Sequence, residues 1–137
     1  MASGMMLPKT GNILFSLAHR DKEKALSIAR SLQQRGYHIL ATNHTWEYFR
    51  SHGLTAQRVE KADALELLQR NKIHGIINTP TLGKVSTRFG FLLRRKAMEY
   101  NIPCITSLDT AQAMLKVLED NSPVNIFSLD QYSTNYV

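Results

Sequence analysis

Apolar residues gather along the chain in two alternating patterns. Compact runs read as strands: Asn12-Ile-Leu-Phe-Ser-Leu17, Tyr37-His-Ile-Leu-Ala-Thr42, Ile73-His-Gly-Ile-Ile-Asn78 and Pro103-Cys-Ile-Thr106, with a brief one within Leu54–Val59. The run at Ile73–Asn78 does not alternate cleanly with polar residues, which suits burial on both faces. Between these runs the spacing is helical. From Asp21 to Arg35, residues Ala25, Leu26, Ile28, Ala29 and Leu32 form one apolar stripe, with Asp21 as the expected cap and Gly36 as the stop. A short helix is expected over Thr45–His52, capped by Thr45 and stopped by Gly53. Another is expected over Asp63–Asn71, where Asp63 and Glu66 have capping-box spacing. A basic helix over Phe91–Tyr100 and a helix over Leu108–Glu119, with Ala111, Met114, Leu115 and Leu118 inward, complete the pattern. Thr79–Gly90, rich in Gly, Thr, Ser and Pro, reads as a loop.

Strands alternating with helices predict a doubly wound, Rossmann-like α/β domain: a five-stranded parallel sheet with helices on both faces. Ligands of such sheets sit beyond the carboxyl ends of the strands. That rule points at 17–22, 42–45, 59–61 and 78–83. Length agrees with one domain, since 137 residues are too few for two of ordinary size. The expected organisation is a disordered lead-in or linker over 1–10, the domain over 11–119, and a polar, aromatic tail over 120–137 with an edge strand at Val124–Leu129. With 43% hydrophobic and 20% charged residues the chain has the composition of a folded globular protein rather than a disordered one.

A single cysteine, Cys104, excludes an intrachain disulfide and a cysteine-rich zinc site, and fits a reducing, cytoplasmic setting. No apolar run approaches the roughly 18 residues of a membrane span. The net charge of +6 suits anionic partners.

The segment Ala41-Thr-Asn-His-Thr45 leaves a strand and enters a helix. Hydroxyls of Thr42 and Thr45 and the free N–H groups around Asn43 and His44 can form a phosphate cradle there. An ordinary capped helix after a Thr-rich turn is the alternative. The segment matches neither the GxGxxG fingerprint nor a Walker loop. Lys22 and Lys61 follow the first and third strands, so both are candidates to meet a phosphate as mobile point charges; solvated surface lysines are the alternative. Arg88 and the run Leu93-Arg-Arg-Lys96 are expected to form a charged outer face. Aromatics are not interleaved with these charges, so no base-stacking platform for nucleic acid is expected. His19, His38, His44, His52 and His74 lack the spacing of a helical zinc site; His38 and His74 are expected to be structural, while His19 and His44 sit at strand ends. Cys104, between Pro103 and Ile105, is expected to be an inert thiol.

Taken in order, Gly11-Asn-Ile-Leu-Phe-Ser16, Asp21-Lys22, Gly36-Tyr37, Ala41-Thr42 with Thr45, His52-Gly53, Val59 with Lys61, Ile76-Ile-Asn-Thr79, Arg94-Arg95 with Ala97, and Ile102-Pro103 with Thr106 resemble the methylglyoxal-synthase-like domain. The likeness is to the version that closes the large subunit of carbamoyl-phosphate synthetase, and Phe127–Ser133 is similar to tails found there. The resemblance implies an allosteric domain without catalysis of its own. Its effector would be UMP, IMP, phosphoribosyl pyrophosphate or, in the urea-cycle type, N-acetylglutamate. It implies that Lys22, Thr42, Thr45, Lys61, Asn78 and Thr79 bind the effector, with Asn43 and His44 in the same turn. It also implies no cofactor in this domain, and partners in the rest of the large subunit and a glutaminase subunit, the parent ligase using ATP with Mg or Mn for pyrimidine or arginine synthesis.

Two departures bear on the effector pocket: His44 stands where a small residue is usual, and the Lys61–Leu67 stretch lacks a common insertion. Lys61 stands where the urea-cycle type has Trp, which favours a phosphorylated effector. The rival is methylglyoxal synthase, whose base is a carboxylate beside the same cradle. Here Asp63 is expected to cap a helix, and Ser86-Thr-Arg-Phe-Gly90 carries no acid where the enzyme has a His-Asp pair. A cradle without a base implies binding. A nucleic-acid binder rests on the charge alone.

Overall fold

The computed structural model describes residues 7–79 and 88–120. The strands are β1 (Asn12–Ser16), β2 (His38–Ala41), β3 (Gln57–Arg58), β4 (Gly75–Asn78) and β5 (Cys104–Ile105). The helices are α1 (Lys22–Gln34), α2 (Asn43–Ser51), α3 (Lys61–Gln69), α4 (Arg88–Glu99) and α5 (Leu108–Asp120), with a 3-10 turn at His19–Asp21 before α1. All strand pairs are parallel, in the order β3-β2-β1-β4-β5. The expected five-stranded parallel sheet is therefore present. The expected edge strand at Val124–Leu129 lies outside the described residues.

The order reverses direction between β1 and β4. Chain progress from β1 to β2 and β3 runs one way across the sheet, and from β4 to β5 the other. Because such crossovers are right-handed, the two directions place their helices on opposite faces. The core obeys this. Ile13, Phe15, Ile39 and Ile77 pack with Ala25, Ile28 and Leu32 of α1, Phe49 of α2, and Ala111 and Met114 of α5. Leu14, Leu40 and Ile76 point the other way, onto Ala64 and Leu68 of α3 and Leu93 and Ala97 of α4. Successive residues of one strand feed opposite cores, which is why the strand runs lack polar alternation. Phe15 and Phe49 meet edge to face at 5.5 Å and 76°, which fixes α2 over the end of β1.

Four helices stop by one device. After α1 and α2 the left-handed residues are Gly36 (φ 102°) and Gly53 (φ 82°); after α3 and α4 they are Asn71 (φ 59°) and Asn101 (φ 56°). In each the next residue's N–H reaches back six residues' span, as in Leu54 to the Phe49 carbonyl at 2.9 Å and Lys72 to the Leu67 carbonyl at 2.8 Å.

Helix starts differ from expectation. Helix α2 begins at Asn43, so Thr42 is the cap residue and Thr45 lies inside the first turn. Helix α3 begins at Lys61, so Asp63 is an exposed first-turn acid and caps nothing. Asp21 stands at the start of α1 but its side chain makes no capping bond. At all three starts the sequence signal was a side-chain cap, and no cap side chain bonds the helix. The loop expected over Thr79–Gly90 yields its last residues to α4, which starts at Arg88; residues 80–87 are outside the described set.

Candidate functional site

The reversal between β1 and β4 leaves a crevice at the carboxyl ends of the strands, where the flanking loops part to opposite faces. A cleft of about 540 Å³ opens there, lined by the ends of β1, β2, β3 and β4 and the starts of α2, α3 and α4. Of the residues singled out in the sequence, Thr42, Asn43, His44, Thr45, Lys61, Asn78 and Thr79 line it. Lys22 does not: it is 8% exposed at the start of α1, and no described residue bonds its ammonium group. His19 is likewise outside the lining.

The α2 side of the cleft is built from a helix start. Thr42 has extended backbone (φ −72°, ψ 164°), and its side chain makes no capping bond. Its carbonyl accepts the first helical bond, from Trp46 N–H at 2.7 Å. The amides of Asn43, His44 and Thr45 precede that bond and are the unsatisfied donors every helix start presents. They carry the positive end of the helix dipole. His44 is exposed, with Nδ1 3.7 Å from Glu47.

The opposite wall is fixed by hydrogen bonds across the crevice. Leu17 N–H donates to Thr45 Oγ1 at 3.2 Å, and Ala18 N–H donates to Thr79 Oγ1 at 2.8 Å. Asn78 Nδ2 donates to the Ser16 carbonyl at 3.1 Å, and Arg94 Nη1 donates to Asn78 Oδ1 at 2.9 Å. Among the described residues Thr42, Thr45, Asn78 and Thr79 are the buried polar side chains besides Lys22, and none is left with an unsatisfied buried atom. Polar groups buried without partners cost free energy, so this network is what lets the crevice be polar inside a core.

Charge comes from α3 and α4. Lys61 opens α3 and its ammonium lies 5.6 Å from the centre of the Phe89 ring, itself in the lining. Arg94 also lines the cleft, a residue sequence reasoning had assigned to an outer face. Its neighbours do face outward: Arg95 and Lys96 both approach Glu99. The acid in the lining is Glu60, whose Oε2 accepts from Arg58 at 2.8 Å; Asp63 is not part of it.

Three expectations from single residues hold. His74 is structural, Nδ1 accepting the Asn12 N–H at 2.9 Å, and His38 pairs with Gln57 across β2 and β3. Burial pushes the Cys104 thiol up to about 11, while Arg94 pulls the other way, so the thiol is protonated and unreactive near neutrality. Among the described residues no cluster of three or more His, Cys, Asp or Glu could hold a metal ion, and no helix is long and apolar enough to cross a membrane.

A parallel sheet whose switch point carries a helix start, threonine hydroxyls and two cations defines an α/β domain with a polar, cation-bearing crevice at that point. The family model of the MGS-like domain matches residues 24–106. The chain belongs to that family, as the sequence resemblance implied. It is 41% identical over 133 residues, 97% of its length, to the carbamoyl phosphate synthase large chain of Caldanaerobacter subterraneus subsp. tengcongensis. It spans only 12% of that relative's length. Among solved structures it is similar to methylglyoxal synthase from Elizabethkingia anophelis NUHP1, with TM-score 0.66 and 16% identity over 87% of this chain and 82% of that one. It is also similar to ForH, with TM-score 0.60 and 16% identity over 92% and 90% of the two chains. At such identities these two likenesses concern the fold alone.

Proposed function

We propose that this chain is the effector-binding, regulatory domain of a carbamoyl phosphate synthase large chain, and that its effector is a phosphorylated metabolite held in the switch-point cleft. The phosphate would lie against the start of α2, on the amides of Asn43, His44 and Thr45 and the hydroxyls of Thr42 and Thr45. Lys61 and Arg94 would face it from α3 and α4. The observation that carries this reading is the convergence of Thr42–Thr45 and Asn78–Thr79 in one cleft with two cations. Hydrogen bonds to a charged group are worth about 1.5–3 kcal/mol each, so losing one such contact is worth about tenfold or more in Kd.

The likeness to a carbamoyl phosphate synthase large chain, and the length that relative has beyond this chain, support a domain that works within a larger synthase. The rest of the large chain and a glutaminase subunit are then its partners. The ATP chemistry and its metal, and a place in pyrimidine or arginine synthesis, belong to the parent. Binding rather than catalysis is favoured by the acids. Asp63 is outside the cleft, and Glu60 is engaged by Arg58. A general base must stand free within hydrogen-bond reach of the proton it takes.

A thermal-shift panel tests the reading: UMP, IMP, phosphoribosyl pyrophosphate, N-acetylglutamate, ornithine and dihydroxyacetone phosphate. A ligand at 100 times its Kd stabilises by about 2.7 kcal/mol, a clear shift. Stabilisation by one of the first three supports the proposal. Turnover of dihydroxyacetone phosphate to methylglyoxal at about 1 s⁻¹ or more would replace it with the enzyme.

A further inference from the structure

We infer that Arg94 is a positioning residue that sets the ligand preference of the cleft by fixing the side-chain amide of Asn78, so that the amide offers the ligand a donor. The inference rests on the reading of the cleft as a phosphate site and names how that site discriminates.

The amide orientation follows from chemistry. A guanidinium has N–H donors and no acceptor, and a backbone carbonyl has only acceptors. Asn78 lies between one of each: Arg94 Nη1 at 2.9 Å and the Ser16 carbonyl at 3.1 Å. Only one of the two amide orientations satisfies both, with Oδ1 toward Arg94 and Nδ2 toward Ser16. What remains uncommitted on the nitrogen is its second N–H.

The two neighbouring hydroxyls follow the same logic. Thr45 Oγ1 accepts the Leu17 N–H and Thr79 Oγ1 accepts the Ala18 N–H, so each hydroxyl keeps its proton to donate. The two threonines thus hold the β1 end with their acceptors and Asn78 holds it with one N–H, and all three side chains keep a donor for an occupant. Such a wall welcomes phosphate or carbonyl oxygens and repels none of them.

Arg94 is what makes Asn78 part of that set. Without it, the amide can turn its oxygen into the cleft, against phosphate oxygens. Nothing acidic competes for the guanidinium: among the described residues its hydrogen bond is to Asn78, while Glu99 is approached by Arg95 and Lys96. Gly90, one turn before Arg94 on α4, is buried and lines the same cleft.

The experiment uses UMP with uridine and IMP with inosine as probes, titrated into wild type, Arg94→Met and Arg94→Lys at low salt and at 1 M salt. At 1 M the Debye length is about 3 Å, so a purely charge-driven contribution shrinks while an amide-orientation effect persists. Arg94→Met should weaken the preferred nucleotide at least tenfold at both salts and leave its nucleoside within about twofold. Arg94→Lys, which can still donate to Asn78 Oδ1, should recover most of the loss. The Asn78 side-chain amide resonances should be exchange-protected in wild type and lose that protection in Arg94→Met. The wild-type resonance stands as a test even if the Met variant fails to fold. A freely exchanging Asn78 amide in wild type overturns the inference. So does a Met variant that binds nucleotide within twofold of wild type, or one that loses nucleotide and nucleoside equally; either result leaves the phosphate reading standing. If wild type binds neither nucleotide nor any other phosphorylated probe, the phosphate reading falls and this inference falls with it.

Discussion

The amide of Leu17 donates to the hydroxyl of Thr45 at 3.2 Å, and this bond joins the end of β1 to the first turn of α2. It serves two ends. It satisfies a part-buried backbone donor at the mouth of the crevice, and it leaves the Thr45 proton pointing elsewhere.

Thr45→Val keeps the shape and removes the acceptor. An amide left buried without a partner costs about 1–3 kcal/mol. Thr45→Val is therefore expected to melt several degrees below wild type by differential scanning calorimetry, and Thr45→Ser to recover most of the difference. Equal melting of wild type and Thr45→Val would mean that the Leu17 amide finds water at no cost.

Thr42 makes the opposite prediction. A cap residue replaced by Ala usually costs about 0.5–2 kcal/mol. The Thr42 side chain makes no capping bond. Thr42→Ala is expected to sit below that range in chemical denaturation, yet to bind a phosphorylated effector several-fold more weakly in calorimetric titration. A large stability loss with unchanged affinity would make Thr42 a cap rather than a ligand.

Much of this was legible in the sequence, and the misses have a common cause. The strand runs at Asn12–Leu17 and Ile73–Asn78 and the stops at Gly36 and Gly53 were plain, because burial on two faces and a left-handed stop constrain residue type strongly. The starts of α2 and α3 were displaced because Thr45 and Asp63 imitate caps while Thr42 and Glu60 do the job without side-chain bonds. Arg94 was missed because Arg94-Arg-Lys96 reads as one charged run. Gly90, Leu93 and Ala97 mark the buried stripe of α4, and at about 100° per residue Arg94 lies nearer its middle than Arg95 or Lys96. Arg94 adjoins Leu93 and lies one turn after Gly90, and that placement was the available signal. Lys22, also chosen for its strand-end position, is buried at the start of α1 and outside the lining of the cleft.

Lys61 tests the electrostatic part. Its ammonium is expected to exchange the Phe89 ring for a phosphate oxygen when the effector binds. Lys61→Met should cost about tenfold or more in Kd, since about 1.4 kcal/mol is tenfold. The wild-type advantage should shrink with salt. Titration calorimetry at two salt concentrations measures both. Equal affinities would identify Lys61 as a surface lysine.

Cys104 carries a pH signature. Its thiol ionises near the ordinary value of 9.0 when unfolded and at about 11 when buried, so the unfolded chain loses its proton first as pH rises. The stabilisation is complete below about pH 9 and is lost between there and about pH 11. Cys104→Ala should flatten the fall in stability across that window. Arg94→Met should push the thiol higher still, because Arg94 lowers it. Alkylation rates of the native protein against pH report the shift directly. A rate profile centred near the ordinary value of 9.0 would contradict the partly buried placement.

The central claim is that the start of α2 holds an anion. Amide resonances followed during titration with inorganic phosphate test this at the atoms concerned. The account predicts saturable shifts largest at Asn43, His44 and Thr45, with smaller ones at Leu17, Ala18 and Thr79, and their loss in Thr42→Ala/Lys61→Met. Shifts absent from these residues at saturating phosphate, or centred elsewhere on the domain, would contradict it.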